Sequence, residues 1–134
     1  MSEENFEIAK PGWEAWQRGG LDALAEILDP EIVWDVSHFR DWPGTRYVGI
    51  EGVQNLLADF LAVLDGYEVG VDETLAAPGD RVVSLAWQRG KGRHSGLEVY
   101  LEFAVIFTFR NGKIIRLATY DDREAALEAA GLSE

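Results

Sequence analysis

The sequence contains no cysteine among its 134 residues. A chain without cysteine forms no disulfide and offers neither a thiolate nucleophile nor a thiolate metal ligand. Long apolar runs are lacking as well, since no stretch approaches the roughly 18 uninterrupted apolar residues of a membrane-spanning helix. The opening Met1-Ser2-Glu3-Glu4 has neither the charged nor the apolar region of a secretion signal. We therefore expect a cytoplasmic protein with no membrane partner.

Basic residues are scarce relative to acidic ones. Twelve Lys and Arg stand against 24 Asp and Glu, which gives a formal net charge of −12 at pH 7. Nucleic acid is not an expected partner, because a phosphate backbone needs a basic footprint. Apolar residues make up 47% of the chain, enough for a packed core, and the length predicts one domain covering residues 1–134.

Apolar spacing predicts three helices in the N-terminal half of the chain. Their apolar faces are carried by Phe6, Ala9, Trp13 and Trp16, then by Leu21, Leu24 and Leu28, and finally by Ile50, Val53, Leu57, Phe60 and Leu64. A strand over residues 31–37 lies between the second and the third helix, after the breaker Asp29-Pro30.

The C-terminal half is predicted to be mostly sheet. Four strands are expected at 67–76, 81–92, 97–110 and 113–120. The last two are joined by Asn111-Gly112, a strong hairpin signal. A short helix then begins at Asp121 or Asp122 and ends at Gly131. Helices segregated from a curved, mostly antiparallel sheet define an α+β fold.

The two faces of the sheet are assigned from the alternation of side chains. In the third strand of this half, Phe103 points inward, while Tyr100, Ala104 and Ile106 point outward. We expect this half-apolar outer face to form a homodimer contact. The preceding strand is interpreted with its odd positions facing inward, and those are Val83, Leu85, Trp87 and Arg89.

Several motifs resemble the NTF2-like superfamily. They are Gly19-Gly20-Leu21-Asp22, the strand entry Asp29-Pro30-Glu31-Ile32-Val33-Trp34, the helix start Tyr47-Val48-Gly49-Ile50-Glu51-Gly52-Val53, the hairpin from Phe107 to Ile114, and the tail from Tyr120 to Leu132. The tail is most similar to the SnoaL-like, ketosteroid-isomerase-like branch. The resemblance implies a cone in which three helices and the sheet enclose an apolar pocket, a short C-terminal helix, and a dimer through the outer sheet face. It does not fix the activity, because this scaffold hosts isomerases, cyclases, hydrolases, dehydratases and noncatalytic modules.

The resemblance also aligns Asp35 with the catalytic base of ketosteroid isomerases. A carboxylate in an apolar pocket loses solvation, so its pKa rises and it becomes a better base. The alternative is a strand-end carboxylate held by backbone amides or by Arg40. Both oxyanion donors of those isomerases are missing, since Val105 and Gly12 or Trp13 stand at the corresponding positions, and steroid isomerisation is therefore not expected.

His38 and Tyr120 are the candidate helpers of Asp35. His38 could move a proton near neutral pH if the chain turns it over the pocket, or it could be a structural surface histidine. Tyr120 could offer its hydroxyl to a ligand, or lie at the edge of the core. The spacing of Asp35, His38 and Asp41 matches no metal-ligand signature, so neither a metal nor another cofactor is expected.

The ligand site is predicted from the aromatic residues. The side chains expected to converge on the pocket are Trp13, Trp16, Phe60, Trp87 and Phe103, with Arg89 as a possible partner for a carboxylate or carbonyl. Arg89 could also lie at the solvated end of its strand with Lys91 and Arg93. Epoxide hydrolases of this fold set an arginine between two aspartates, but that full set cannot be placed on inward positions here.

Two functions of different class follow from these residues. The first is a cofactor-free isomerase, cyclase or lyase that acts on a hydrophobic carbonyl compound, with Asp35 as base and His38 or Tyr120 assisting. The second is a noncatalytic module for ligand binding or dimerisation. The expected partner of the enzyme, and of a module that binds a ligand, is a hydrophobic small molecule. Whether the Asp35 carboxylate points into an enclosed cavity distinguishes the two.

Overall fold

The structure of the chain is a computed structural model, and it describes residues 12–14, 16, 25–39 and 46–132, without the side chains of residues 60 and 61. The elements are β1 (Leu28–His38), β2 (Arg46–Val48), α1 (Gly49–Val63), β3 (Leu64–Ala77), β4 (Arg81–Gly92), β5 (Glu98–Arg110), β6 (Lys113–Tyr120) and α2 (Arg123–Ala129). Residues 12–14, 16 and 25–27 are also helical. Of the predicted first and second helices, Phe6, Ala9, Leu21 and Leu24 lie outside the described residues.

The six strands form one sheet in the order β2-β1-β6-β5-β4-β3. Strand β1 runs parallel to β6, and every other neighbouring pair is antiparallel. The β5–β6 hairpin turns at Asn111 and Gly112, which have φ values of 53° and 76°. Two positive φ angles are what a two-residue type I′ turn requires. The predicted hairpin is therefore confirmed.

The sheet is covered on both faces. Its inner face packs against α1 and the helical segment that carries Trp16, in a cluster that includes Ile32, Leu56 and Phe107. Its outer face packs against α2, in a smaller cluster that includes Ala126. The predicted α+β fold, a curved and mostly antiparallel sheet with helices, is confirmed.

Two local predictions need correction, and one short strand was not predicted. Leu28 begins β1 instead of ending a helix, since its backbone pairs with Ile114 of β6. The three-residue strand β2, which was not predicted, pairs with β1. The N-cap of α2 is Asp122, one of the two predicted starting positions, and its carboxylate accepts hydrogen bonds from the Glu124 and Ala125 amides.

The second correction concerns the outer face. Ala104 and Ile106 lie buried beneath α2, so two of the three residues predicted to contact a second subunit are covered by the chain itself. Tyr100 alone of the three is exposed, with 58% of its surface accessible. Neither α1 nor α2 has the length and apolarity needed to cross a membrane, and the same holds for the other helical residues that the structure describes.

Candidate ligand-binding cavity

A small cavity lies between the inner face of the sheet and the helices. Its volume is about 20 Å³, which is room for about one water molecule. Ten described residues line it: Trp13, Trp16, Trp34, Val36, Phe39, Leu56, Tyr67, Gln88, Phe103 and Thr119. Six of these side chains are aromatic, so the cavity offers mainly ring faces and edges to a ligand.

Tryptophan rings divide the interior into two compartments. Trp16 and Trp34 pack with ring centroids 5.0 Å apart, and with Trp13 they also line a second cavity of about 20 Å³. The described lining of this second cavity is apolar throughout and includes Val105 and Phe107. Of these two inner cavities, the first is therefore the one whose described lining includes polar groups.

Each of the three indoles donates a hydrogen bond to a hydroxyl group. Trp16 Nε1 lies 2.7 Å from the Tyr67 hydroxyl, and Trp34 Nε1 lies 2.8 Å from Thr119 Oγ1. Trp13 Nε1 lies 3.1 Å from Ser84 Oγ. A buried indole N–H needs such an acceptor. The tryptophans are thereby held in fixed orientations around the cavity.

Tyr67 and Gln88 form the polar end of the first cavity. The Tyr67 hydroxyl, at the start of β3, lies 3.3 Å from Gln88 Oε1 on β4. Burial raises the pKa of Tyr67 to about 12, although the hydrogen bond from Trp16 acts in the opposite direction. The phenol is therefore protonated at neutral pH and acts as a hydrogen-bond donor instead of a base.

Asp35 lies on the opposite face of the sheet from this cavity. Strand residues alternate between faces, and the neighbours of Asp35 on each side, Trp34 and Val36, both line the cavity. The Asp35 carboxylate accepts hydrogen bonds from the amide and hydroxyl of Ser37 and from Arg116. It does not reach the cavity, so its predicted role as catalytic base there has no support in the geometry.

The pKa of Asp35 is lowered, which is the reverse of what a buried general base needs. Burial alone raises this pKa, but the hydrogen bonds from the Ser37 hydroxyl and amide and the nearby charges of Arg116 and His38 outweigh it. Of the two interpretations of Asp35, the carboxylate held by backbone and arginine is therefore the one that the structure supports. Arg40 lies outside the described residues.

His38 and Tyr120 are brought together, although not at the cavity. Their rings stack with centroids 4.4 Å apart and an interplanar angle of 5°, and the two residues pair across β1 and β6. Tyr120 packs against the outer cluster beneath α2. The three residues predicted to be catalytic thus gather on the outer side of the sheet, where no described part of the inner cavity reaches them.

The predicted ligand-binding residues divide into two groups. Trp13, Trp16 and Phe103 line the cavity as expected, and the side chain of Phe60 lies outside the described residues. Trp87 and Arg89 face outward, which corrects the assignment of the odd positions of β4 to the inner face.

On the outer face, Trp87 stacks with Tyr100 at 6.1 Å. The Arg89 guanidinium lies 5.5 Å from the Trp87 ring and 2.7 Å from Glu68. It is the even positions of β4 that point inward, and these are Val82, Ser84, Ala86 and Gln88.

Sequence reasoning missed the polar residues of the cavity. Ser84, Gln88 and Thr119 are the buried polar residues of the described chain. A signal for them existed, since several tryptophans in a core require hydrogen-bond acceptors on inward-facing positions. Among the described residues, no group of His, Asp and Glu is arranged to hold a metal ion.

Helices packed over the inner face of a curved, mostly antiparallel sheet define the architectural class of the chain. Comparison with known proteins places this scaffold in a family: a family model for the SnoaL-like domain matches residues 12–117. The chain belongs to this family. No functionally curated protein matches the sequence.

Solved structures share the NTF2-like fold. A protein of ketosteroid-isomerase-like fold from Catenulispora acidiphila DSM 44928, in complex with trimethylamine, is 20% identical, with 94% of this chain and 93% of that chain covered and a TM-score of 0.74. TerC, co-crystallised with polyporic acid, is 22% identical, with 95% and 97% covered and a TM-score of 0.77. A protein assigned as a SnoaL-like polyketide cyclase from Jannaschia sp. CCS1 is 21% identical, with 98% and 94% covered and a TM-score of 0.76. At this level of identity the likeness shows the fold alone.

Proposed function

We propose that the chain is a ligand-binding module that takes a small hydrophobic carbonyl compound into the aromatic cavity. The observation that carries this proposal is the described lining of the cavity. It combines aromatic rings with hydroxyl and carboxamide groups and contains no carboxylate, imidazole or cationic side chain. Such a lining suits binding by apolar contact and a few hydrogen bonds.

Two of the structural neighbours support the proposal in a coarse sense. One was solved in complex with trimethylamine and another was co-crystallised with polyporic acid. The enzyme hypothesis, which the cyclase assignment of a third neighbour favours, requires a base other than Asp35. We therefore rank binding first and acid–base catalysis second.

Binding of a ring compound requires the cavity to expand. Trp13 is the side chain that we expect to yield, since it is only half-buried and its indole makes the longest of the three indole hydrogen bonds. Movement of Trp13 would join the two cavities, because this ring lines both of them. The Trp16 and Trp34 pair would stay in place.

The proposal is tested by titrating the full chain with cyclopentanone and following the indole N–H signals by NMR. We expect the signals of Trp16 and Trp34 to shift with a dissociation constant in the millimolar range, on the order of 1–10 mM for so small a ligand. Absence of any shift in these two signals up to roughly 50 mM would contradict the proposal.

A matched pair of variants on β1 supplies the control. Val36 lines the cavity, whereas Val33 lies on the opposite face of the same strand. Val36→Leu adds one methylene to the cavity and should weaken binding at least about fivefold, because overpacking a filled site costs on the order of 1 kcal/mol. Val33→Leu should leave binding unchanged. Equal affinities of the two variants would place the ligand elsewhere.

A further inference from the structure

The indole hydrogen bonds determine which polar atoms of the cavity can serve a ligand as donors. Trp16 and Trp34 each occupy the oxygen of a cavity hydroxyl, on Tyr67 and on Thr119. A hydroxyl that accepts from an indole still has its own proton to direct elsewhere. The two hydroxyls therefore each bring a donor to the cavity, beside the Gln88 carboxamide, which has both a donor and an acceptor, and a ligand with an acceptor can pair with these donors.

Tyr67 is the donor whose geometry is best fixed. Its oxygen lies 2.7 Å from Trp16 Nε1, a short hydrogen bond that sets the position of the phenol. Its contact with Gln88 Oε1 is long at 3.3 Å, where 2.7–2.8 Å is typical of an O–H···O bond. A ligand oxygen can therefore compete with Gln88 Oε1 for the phenolic proton, and the net gain is the difference between the two hydrogen bonds.

The environment keeps this donor neutral. Burial raises the pKa of Tyr67 to about 12, so the phenol carries its proton at physiological pH. The described lining contains no cation that could compensate a buried carboxylate, and an uncompensated buried charge is strongly unfavourable. The chemistry of the cavity thus selects a neutral acceptor over an anionic one.

We infer that Tyr67 is the specificity-determining residue of the proposed ligand site: its hydroxyl donates to a neutral carbonyl oxygen, and Trp16 is the positioning residue that holds the phenol. This inference rests on the proposed binding function and adds to it the hydroxyl group that recognises the ligand. It also assigns the ligand class, a ketone or quinone instead of a carboxylic acid or a hydrocarbon.

The test compares two probes of nearly identical shape, cyclopentanone and methylenecyclopentane, in which C=O is replaced by C=CH₂. Dissociation constants are measured by NMR titration of the full chain. Tyr67→Phe should lower the ratio of ketone affinity to alkene affinity about fivefold relative to wild type, the effect of one hydrogen bond of ordinary net strength. The hydration of the free probes is the same in both titrations, so it cancels when the two ratios are compared. A ratio that survives in Tyr67→Phe would overturn the assignment.

The positioning role of Trp16 is tested by a matched pair. Trp16→Phe and Trp34→Phe each remove one indole N–H from the same pair of packed rings, but only the first removes the donor to Tyr67. A loosened cavity weakens both probes alike and leaves their ratio unchanged, so the ratio reports on the phenol. The ratio should fall at least about twofold in Trp16→Phe and stay at the wild-type value in Trp34→Phe. An equal fall in both variants would refute the positioning role.

Further controls separate this inference from the proposed function. If Tyr67→Phe does not fold, as judged by circular dichroism, Gln88→Leu replaces it: removal of the competing acceptor should keep the ratio at or above the wild-type value, and a ratio below the wild-type value would contradict the inference. If the ratio is the same in Tyr67→Phe and in wild type, the assignment of Tyr67 fails while the binding function stands. If neither probe binds, the proposed function fails and the inference fails with it.

Discussion

Asp35 is held on the outer face of β1 by several partners at once. Its side chain is 14% exposed and lies 2.8 Å from Arg116, which is itself half exposed. The Ser37 hydroxyl donates to it at 2.6 Å and the Ser37 amide at 2.8 Å. These contacts favour the ionised carboxylate, and they make Asp35 a structural residue of the β1–β6 pair.

Asp35→Asn should therefore change stability and leave ligand binding intact. We expect a loss of about 1 kcal/mol at neutral pH, because the amide keeps some hydrogen bonds but loses the charge. The pKa of Asp35 in the folded chain lies below its ordinary value of 3.8. Its contribution is then complete above that value and is lost as the pH falls through the folded pKa. Urea denaturation at neutral pH and at about pH 3 should show the difference between wild type and variant shrinking in acid.

The control for this prediction is Glu31→Gln, on an exposed position of the same strand. It should leave the free energy of unfolding unchanged within about 0.5 kcal/mol. A difference between wild type and Asp35→Asn that persists undiminished in acid would contradict the electrostatic account. If Asp35→Asn instead lost cyclopentanone binding, Asp35 would have to be part of the ligand site.

For single residues, the alternation of side chains along a strand predicted the buried face better than the resemblance to a protein family did. Ile32, Trp34 and Val36 form an apolar series with a period of two, which by itself assigns Asp35 to the other face. The resemblance assigned Asp35 to the pocket. Tyr67 could not have been selected in this way, because its role depends on the Trp16 indole, which lies 51 positions away along the chain.

Gly70 leaves room over the backbone of β3 for the indole ring of Trp87, which belongs to the neighbouring strand β4. It lies in the interior of β3, where glycine usually weakens a strand, and it faces Trp87 of β4. A Cβ atom at position 70 would overlap with the indole ring of Trp87 at Cζ2, so no side chain fits there. The indole therefore lies directly over the backbone of β3, and from there it stacks with Tyr100 of β5.

Gly70→Ala should destabilise the chain by about 1–3 kcal/mol, because the added methyl group displaces the Trp87 ring. Urea denaturation measures the effect, and a double-mutant cycle identifies its origin. In a Trp87→Leu background the same substitution should be neutral or stabilising by about 0.5 kcal/mol, since alanine costs less conformational entropy than glycine. Equal costs in the two backgrounds would show that the ring contact is not the reason for glycine at this position.

The positions of the strands in the sequence were more predictable than which side of each strand faces the core. Turn chemistry at Asn111-Gly112 and the alternation of β5 located both strands of that hairpin within one residue. Strand β4 is different because α2 covers its outer face while the core covers its inner face, so apolar residues occupy both, as in Val82 and Val83. A strand that is apolar on both faces does not reveal which one faces the cavity. That ambiguity misplaced Trp87 and Arg89.

The whole molecule combines a strongly acidic chain with an aromatic outer surface. The net charge is −12, yet residues 81–120, which contain β4 to β6, carry seven basic and two acidic side chains. On the outer face, beyond the area covered by α2, Tyr100 and Trp87 stack beside Arg89. Tyrosine, tryptophan and arginine are the residues most enriched at protein–protein contacts.

The homodimer predicted from the sequence is therefore proposed at the patch of Tyr100, Trp87 and Arg89, and salt provides its test. Two copies with net charge −12 repel each other, and this repulsion is screened as the Debye length falls from about 14 Å at 0.05 M salt to about 4 Å at 0.5 M. The apolar contact of the rings is not weakened by salt, so dimerisation should become tighter as salt increases. Sedimentation equilibrium at the two salt concentrations measures this change.

Tyr100→Asp should abolish the dimer, whereas Val48→Asp, at an equally exposed position on the far edge of the sheet, should leave it unaffected. A dimer that dissociates on adding salt would mean that ion pairs form the contact, and one that survives Tyr100→Asp would move it to another surface.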